Sequence, residues 1–164
     1  MYCPFFSLPR LLLLSCALIC APVCSSPVAA NDKANQEACA AKLKTINRQD
    51  AAFKRLNKAY RQSLRFGGTV HSIVPHWHAT HQDLEGAKSK LTVEDIPYIV
   101  KGLAQVEAPD ARQRVAIGVL GLFSVQALPC IEVAMKDPGI KGRFTLQQIK
   151  TQIEVNRTST TSEK

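Results

Sequence analysis

The amino-acid sequence predicts an all-α protein of antiparallel helical hairpins, and three observations carry that expectation. A stretch from Glu37 to Phe66 has neither Pro nor Gly and repeats apolar residues at helical spacings. Two segments in the C-terminal half, residues 95–123 and 126–153, align with one another, and each reads as a pair of helices. With 164 residues, 46% hydrophobic and 6% aromatic, the chain has the composition of an ordinary globular core and the length of one domain.

Residues 1–30 read as an export leader. A single basic residue, Arg10, precedes Leu11–Leu14 and an apolar stretch running to Val23, followed by Ser25, Ser26, Pro27 and the small residues Val28, Ala29 and Ala30. The apolar run of about 13 residues is shorter than the roughly 18 that a membrane-spanning helix needs. Cleavage is expected after Ala30, with lipidation at Cys16, Cys20 or Cys24 as the alternative, and a periplasmic or secreted location follows. Of six cysteines, only Cys39 and Cys130 remain after cleavage. In an oxidising compartment they are expected to form one disulfide, whose only competitor is a pair of buried free thiols.

The segment from Glu37 to Phe66 is expected to be one long amphipathic helix, with Leu43, Ile46, Phe53, Leu56, Tyr60 and Leu64 on its apolar face and Gly67-Gly68 as its stop. The opposite face carries Lys42, Lys44, Arg48, Lys54, Arg55, Lys58, Arg61 and Arg65, with Asp50 the one acid between residues 42 and 65. Twenty basic against thirteen acidic residues leave the trimmed chain at +7, so this segment holds nearly the whole excess. Such a face is either simply solvated or a steering surface for an acidic protein, anionic lipid or wall polymer. Nucleic acid is not expected, because only Phe53, Tyr60 and Phe66 offer stacking rings along it.

All four histidines follow within eleven residues: His71, His76, His78 and His81. With Pro75 as a first helical residue, a short helix over 75–88 would set His78 and His81 on one face, with His71 reaching back from the loop. Imidazoles so concentrated are candidate ligands for zinc or copper. The plain alternative is a chance gathering on an exposed turn, with Trp77 as the packed residue.

In the two aligned segments Pro97 matches Pro129, Pro109 matches Pro138, Arg112 matches Lys141, Arg114 matches Arg143 and Leu120 matches Ile149. Asp95 is expected to cap the first helix of the first unit, and Asp137-Pro138 to open the second helix of the second. A proline in an opening helix, a short turn ending in Pro and a basic pair starting a second apolar helix resemble a HEAT-type α-solenoid repeat over residues 95–154. That resemblance implies a protein-binding scaffold. A compact bundle of similar hairpins is the alternative architecture, and the long basic helix could complete either. The polar tail 156–164, with the sequon Asn156-Arg157-Thr158, is expected to be disordered, leaving 31–155 as a single helical domain.

No phosphate-binding loop, dinucleotide-binding Gly pattern, zinc-protease helix or nucleophile elbow occurs. The expectation is therefore a protein that is not an enzyme, needs no cofactor and binds an acidic protein partner through Arg48, Lys54, Arg55, Lys58, Arg61 and Arg65. Its general form is similar to that of small periplasmic immunity proteins, which implies neutralisation of a toxin or enzyme directed at the cell envelope. The alternatives are a periplasmic metal-binding protein using the histidines, or an envelope factor that contacts anionic lipid or wall polymer peripherally.

Overall fold

The computed structural model describes residues 27–67 and 76–161, with side chains over 31–65 and 78–159. The expected leader therefore lies outside the described residues, save for 27–30, which begin the first helix. Among the described residues the regular structure is helical apart from one small hairpin. In order it forms α1 (Pro27–Thr45), α2 (Ala51–Ser63), β1 (Arg65–Gly67), β2 (His76–His78), α3 (His81–Lys88), α4 (Ile96–Ala104), α5 (Ala111–Phe123), α6 (Leu128–Met135) and α7 (Arg143–Thr161). Single 3-10 turns at Val93–Asp95 and Ser124–Gln126 lead into α4 and α6.

The centre is α4, a short helix whose Ile96, Ile99, Val100 and Leu103 recur at i, i+3, i+4 and i+7 and are all buried. It packs against α1, α5, α6 and α7. Helix α1 lies along α6, and the expected disulfide between Cys39 and Cys130 joins the two, with Cα atoms 5.4 Å apart. Behind this layer α5 contributes Val115, Val119 and Leu120, and α7 contributes Leu146 and Ile153, all fully buried. Helices α2 and α3 close the remaining side of α5. Glu132 on α6 ties three helices together: it accepts from Gln36 Nε2 of α1 at 2.9 Å and from Lys150 Nζ of α7 at 2.8 Å. The Lys150 ammonium is accordingly held above its ordinary pKa, chiefly by its hydrogen bond to Glu132.

The expected helix pairs of the C-terminal half stand where the aligned segments put them, as α4 with α5 and α6 with α7. Several boundaries differ, each for a local reason. The single long helix of residues 37–66 is two helices. Asn47 and Asp50 break it, because their side chains take backbone N–H groups that a continuous helix would need: Asn47 N–H donates to Asp50 Oδ2 at 3.2 Å and Gln49 N–H to Asn47 Oδ1 at 3.2 Å. Ile46 is buried all the same, so the apolar pattern runs through a turn.

The helix expected over 75–88 starts later. Residues 76–78 form a strand, paired antiparallel with β1 in the register Arg65 to His78, Phe66 to Trp77 and Gly67 to His76. Helix α3 begins only after Thr80, whose hydroxyl accepts from Asp83 N–H while the Asp83 carboxylate accepts from Thr80 N–H, a reciprocal capping box.

Asp95 does not cap α4. Its carboxylate turns back to accept from Thr92 N–H at 2.9 Å, and the residue is 1% exposed. Asp137-Pro138 does not open α7 either: Asp137 Oδ1 accepts from Gly139 N–H at 2.9 Å, forming a side-chain turn, and the helix starts at Arg143. At the other end α7 runs on through residues 156–161, in place of the disorder expected there, and residues 162–164 of the expected tail lie outside the described residues. Thr158 and Ser159 hydroxyls donate to the Val155 carbonyl and Gln152 donates to Asn156 Oδ1, so this polar segment satisfies itself within the helix.

Candidate functional site

Helix α2 divides cleanly into two faces. Leu56, Ala59, Tyr60 and Ser63 are buried against the core, and on the far side Lys54, Lys58 and Arg61 follow one another at i, i+4 and i+7. These three cations are exposed and form no ion pair among the described residues. The helix beneath them is fixed by its own apolar side, so the stripe is held in place without an ion pair of its own among the described residues.

The other three expected partner-binding residues are exposed but tethered. Arg48 Nε donates to Gln105 Oε1 at 3.0 Å. Arg55 donates to the buried Asp95 carboxylate and so links α2 to the start of α4. Arg65 forks onto Asp83, with Nε and Nη2 donating at 2.8–2.9 Å, and locks β1 to the first turn of α3. The Arg65 bond, with two from Thr80, holds the Asp83 carboxyl well below the usual carboxylate range. These arginines orient the basic face as much as they charge it. Neither pairing is visible in the sequence, because partners 40 and 18 residues apart have no local periodicity.

A pH dependence follows from Asp83. Its folded-state pKa is depressed, so the Arg65–Asp83 fork contributes stability above the unfolded carboxylate pKa of about 3.9 and loses it as pH falls through the folded value. Melting curves between neutral and acid pH should show Asp83→Asn less stable at neutral pH, with the gap to the natural chain closing below about pH 4. A gap of constant size would mean that the fork contributes nothing.

Beside Arg55 the surface sinks into a groove of about 850 Å³ between the start of α4 and the disulfide, lined in part by Lys42, Val93, Tyr98 and Val125. Val93 and Val125 are 50% and 46% exposed, the kind of apolar anchor that protein interfaces add to a charged rim. Lys42 Nζ sits 5.3 Å over the Tyr98 ring and Tyr98 meets Phe53 edge-on, so the groove wall is packed from both α1 and α2. Near Asp95 the Tyr60 hydroxyl is buried with no hydrogen-bond partner among the described residues, and burial, then the nearby Asp95 charge, push its pKa upward.

The histidines divide differently. His71 lies outside the described residues, and only the backbone of His76 is described. His78 is in β2 and His81 opens α3, so the shared helical face expected for them does not form. His81 Nε2 stands 3.7 Å from Glu85 Oε1. Among the described residues no group of three or more His, Cys, Asp and Glu side chains could hold a metal ion. Among the same residues no single helix is long and apolar enough to cross a membrane. Comparison of the chain with protein-family models, with curated proteins and with solved structures finds no match.

Proposed function

We propose that this chain is a non-enzymatic, disulfide-fixed helical protein of an oxidising compartment that captures an acidic protein on the basic face of α2. The observation that carries this reading is the stripe Lys54, Lys58 and Arg61: three cations with no acidic partner among the described residues, on a helix whose other side is locked in the core. Such charge raises the rate of encounter with an acidic surface. The groove beside Arg55, with Val93 and Val125, supplies apolar area for the bound state. Because the cross-link and the Arg55 and Arg65 tethers fix this surface beforehand, little ordering has to occur on association. Its most concrete form is an inhibitor or immunity protein that neutralises a toxin or enzyme acting on the cell envelope, for which a small cross-linked helical body is suited.

The test is charge reversal at exposed positions that form no ion pair among the described residues. Lys54→Glu, Lys58→Glu and Arg61→Glu together should leave the melting curve nearly unchanged and weaken capture of the acidic partner from envelope extract by about a hundredfold or more, with the natural chain's affinity falling as salt rises. Equal recovery of the partner by the reversed variant would remove this face from the interface. Recovery of anionic vesicles or wall polymer in place of any protein would overturn the proposal.

A further inference from the structure

The last turns of α1, α4 and α6 surround a second cleft, of about 480 Å³, which is within the size range of small-ligand sites. Four cations converge on it from segments far apart in the chain: Lys44 at the end of α1, Arg48 in the turn that follows, Lys101 in the last turn of α4 and Lys141 in the α6–α7 loop. Asp137 is the one acid in the lining, and its Oδ1 is occupied by Gly139 N–H. Leu43, Ala104, Val133 and Ile140 add an apolar wall, of which the last three are half-exposed.

Helix C-termini gather cations through their dipoles, and Lys44 and Lys101 fit that account. Arg48 and Lys141 do not, since neither lies in a helix. The end of α4 is moreover already served by the protein itself: the Ala104 carbonyl accepts from Lys141 N–H at 3.1 Å and from Gly142 N–H at 3.0 Å. Lys44, Lys101 and Lys141 have no ion-pair partner among the described residues, and Arg48 has only the neutral Gln105. Four like charges around one concavity repel, and an anion seated among them relieves that repulsion while keeping its hydrocarbon part on the apolar wall.

We propose that this cleft binds a small amphiphilic anion, with a carboxylate or phosphate-monoester headgroup among Lys44, Arg48, Lys101 and Lys141 and a short apolar chain or ring against Val133 and Ile140. The site is separate from the partner-binding stripe, since Lys54, Lys58 and Arg61 do not line it. Lysines 101 and 141 stand forty residues apart, so no motif announces them.

Titration of the full chain with octanoate and with octyl phosphate, followed by amide NMR, tests this directly. Saturable shifts are expected within residues 43–48, 101–106 and 133–141, and whichever of the two binds more tightly identifies the headgroup. Octanol and inorganic phosphate, each lacking one half of the ligand, should bind at least about tenfold more weakly. The double variant Lys101→Gln with Lys141→Gln should lose about tenfold or more in affinity while its melting curve is retained. Lys44→Gln alone, expected to lose several-fold, serves if the double variant does not fold. The absence of saturable shifts with both amphiphiles, shifts unchanged in the variants, or inorganic phosphate binding as tightly as octyl phosphate would each overturn the proposal.

Discussion

Removing the Cys39–Cys130 bond, by reduction or by Cys39→Ala with Cys130→Ala, should lower stability by about 4–5 kcal/mol, the chain-entropy value for a closed loop of 91 residues. For a domain of this size that is a fall of roughly 15 °C in thermal midpoint. The effect is large because the bond joins the first helix of the domain to its sixth, so that releasing it frees most of the unfolded chain at once. Both residues are nearly inaccessible, at 4% and 6% exposure, so reduction should be slow under native conditions and fast once denaturant is added. Reduction and the double alanine variant should agree. A midpoint shift of only a few degrees would mean that packing of α1 along α6, and not the cross-link, holds the helix in place.

The second large effect is expected from one methyl group. Gly142 is buried against the end of α4, where an added Cβ would overlap the Leu103 carbonyl oxygen and come within 3.0 Å of the Val106 carbonyl. The obstacle is backbone on both sides, so no side chain can move aside. Gly142→Ala should push the α6–α7 loop off α4 and strain the two hydrogen bonds to Ala104, at a cost of about 2–4 kcal/mol in urea unfolding. Gly121 in α5 supplies the contrast, because a Cβ added there would meet nothing within 4 Å. Gly121→Ala should be neutral or stabilising by up to about 1 kcal/mol, as for glycine in any open helix. If the two substitutions behaved alike, close approach of the loop to α4 would not be what glycine is for at position 142.

How far these features could be read from the sequence depends on the range of the interaction that makes them. The apolar spacing of Ile96, Ile99, Val100 and Leu103 is local and gives α4 directly, as the similarity of 95–123 and 126–153 gives the helix pairs. The stripe Lys54, Lys58 and Arg61 is equally local and legible as a basic helical face. The division at residues 46–50 is not, because Ile46 and Phe53 keep a helical spacing across it, and only Asn47 and Asp50 signal the turn through side-chain competition for N–H groups. The strand at His76–His78 depends on pairing with Arg65–Gly67, and nothing within the three residues His-Trp-His specifies a partner about ten residues back. Asp95 has the sequence position of a helix cap but serves Arg55 and Thr92, a role set by the docking of α2. The cation cleft is the extreme case, since its four charges meet only through the packing of three helices and a loop.

The pairing of α1 with α6 also governs the order in which this polypeptide can mature. Synthesis delivers Cys39 long before Cys130, so the first helix can meet α4 but lacks α6, the larger part of its docking surface, until residues 128–135 have been made. A premature bond to any other thiol during that interval would be a misfolded intermediate. Under oxidising conditions the Cys39–Cys130 bond can therefore close only late in synthesis, and oxidative refolding yield should depend on thiol exchange more than on the intrinsic speed of helix formation.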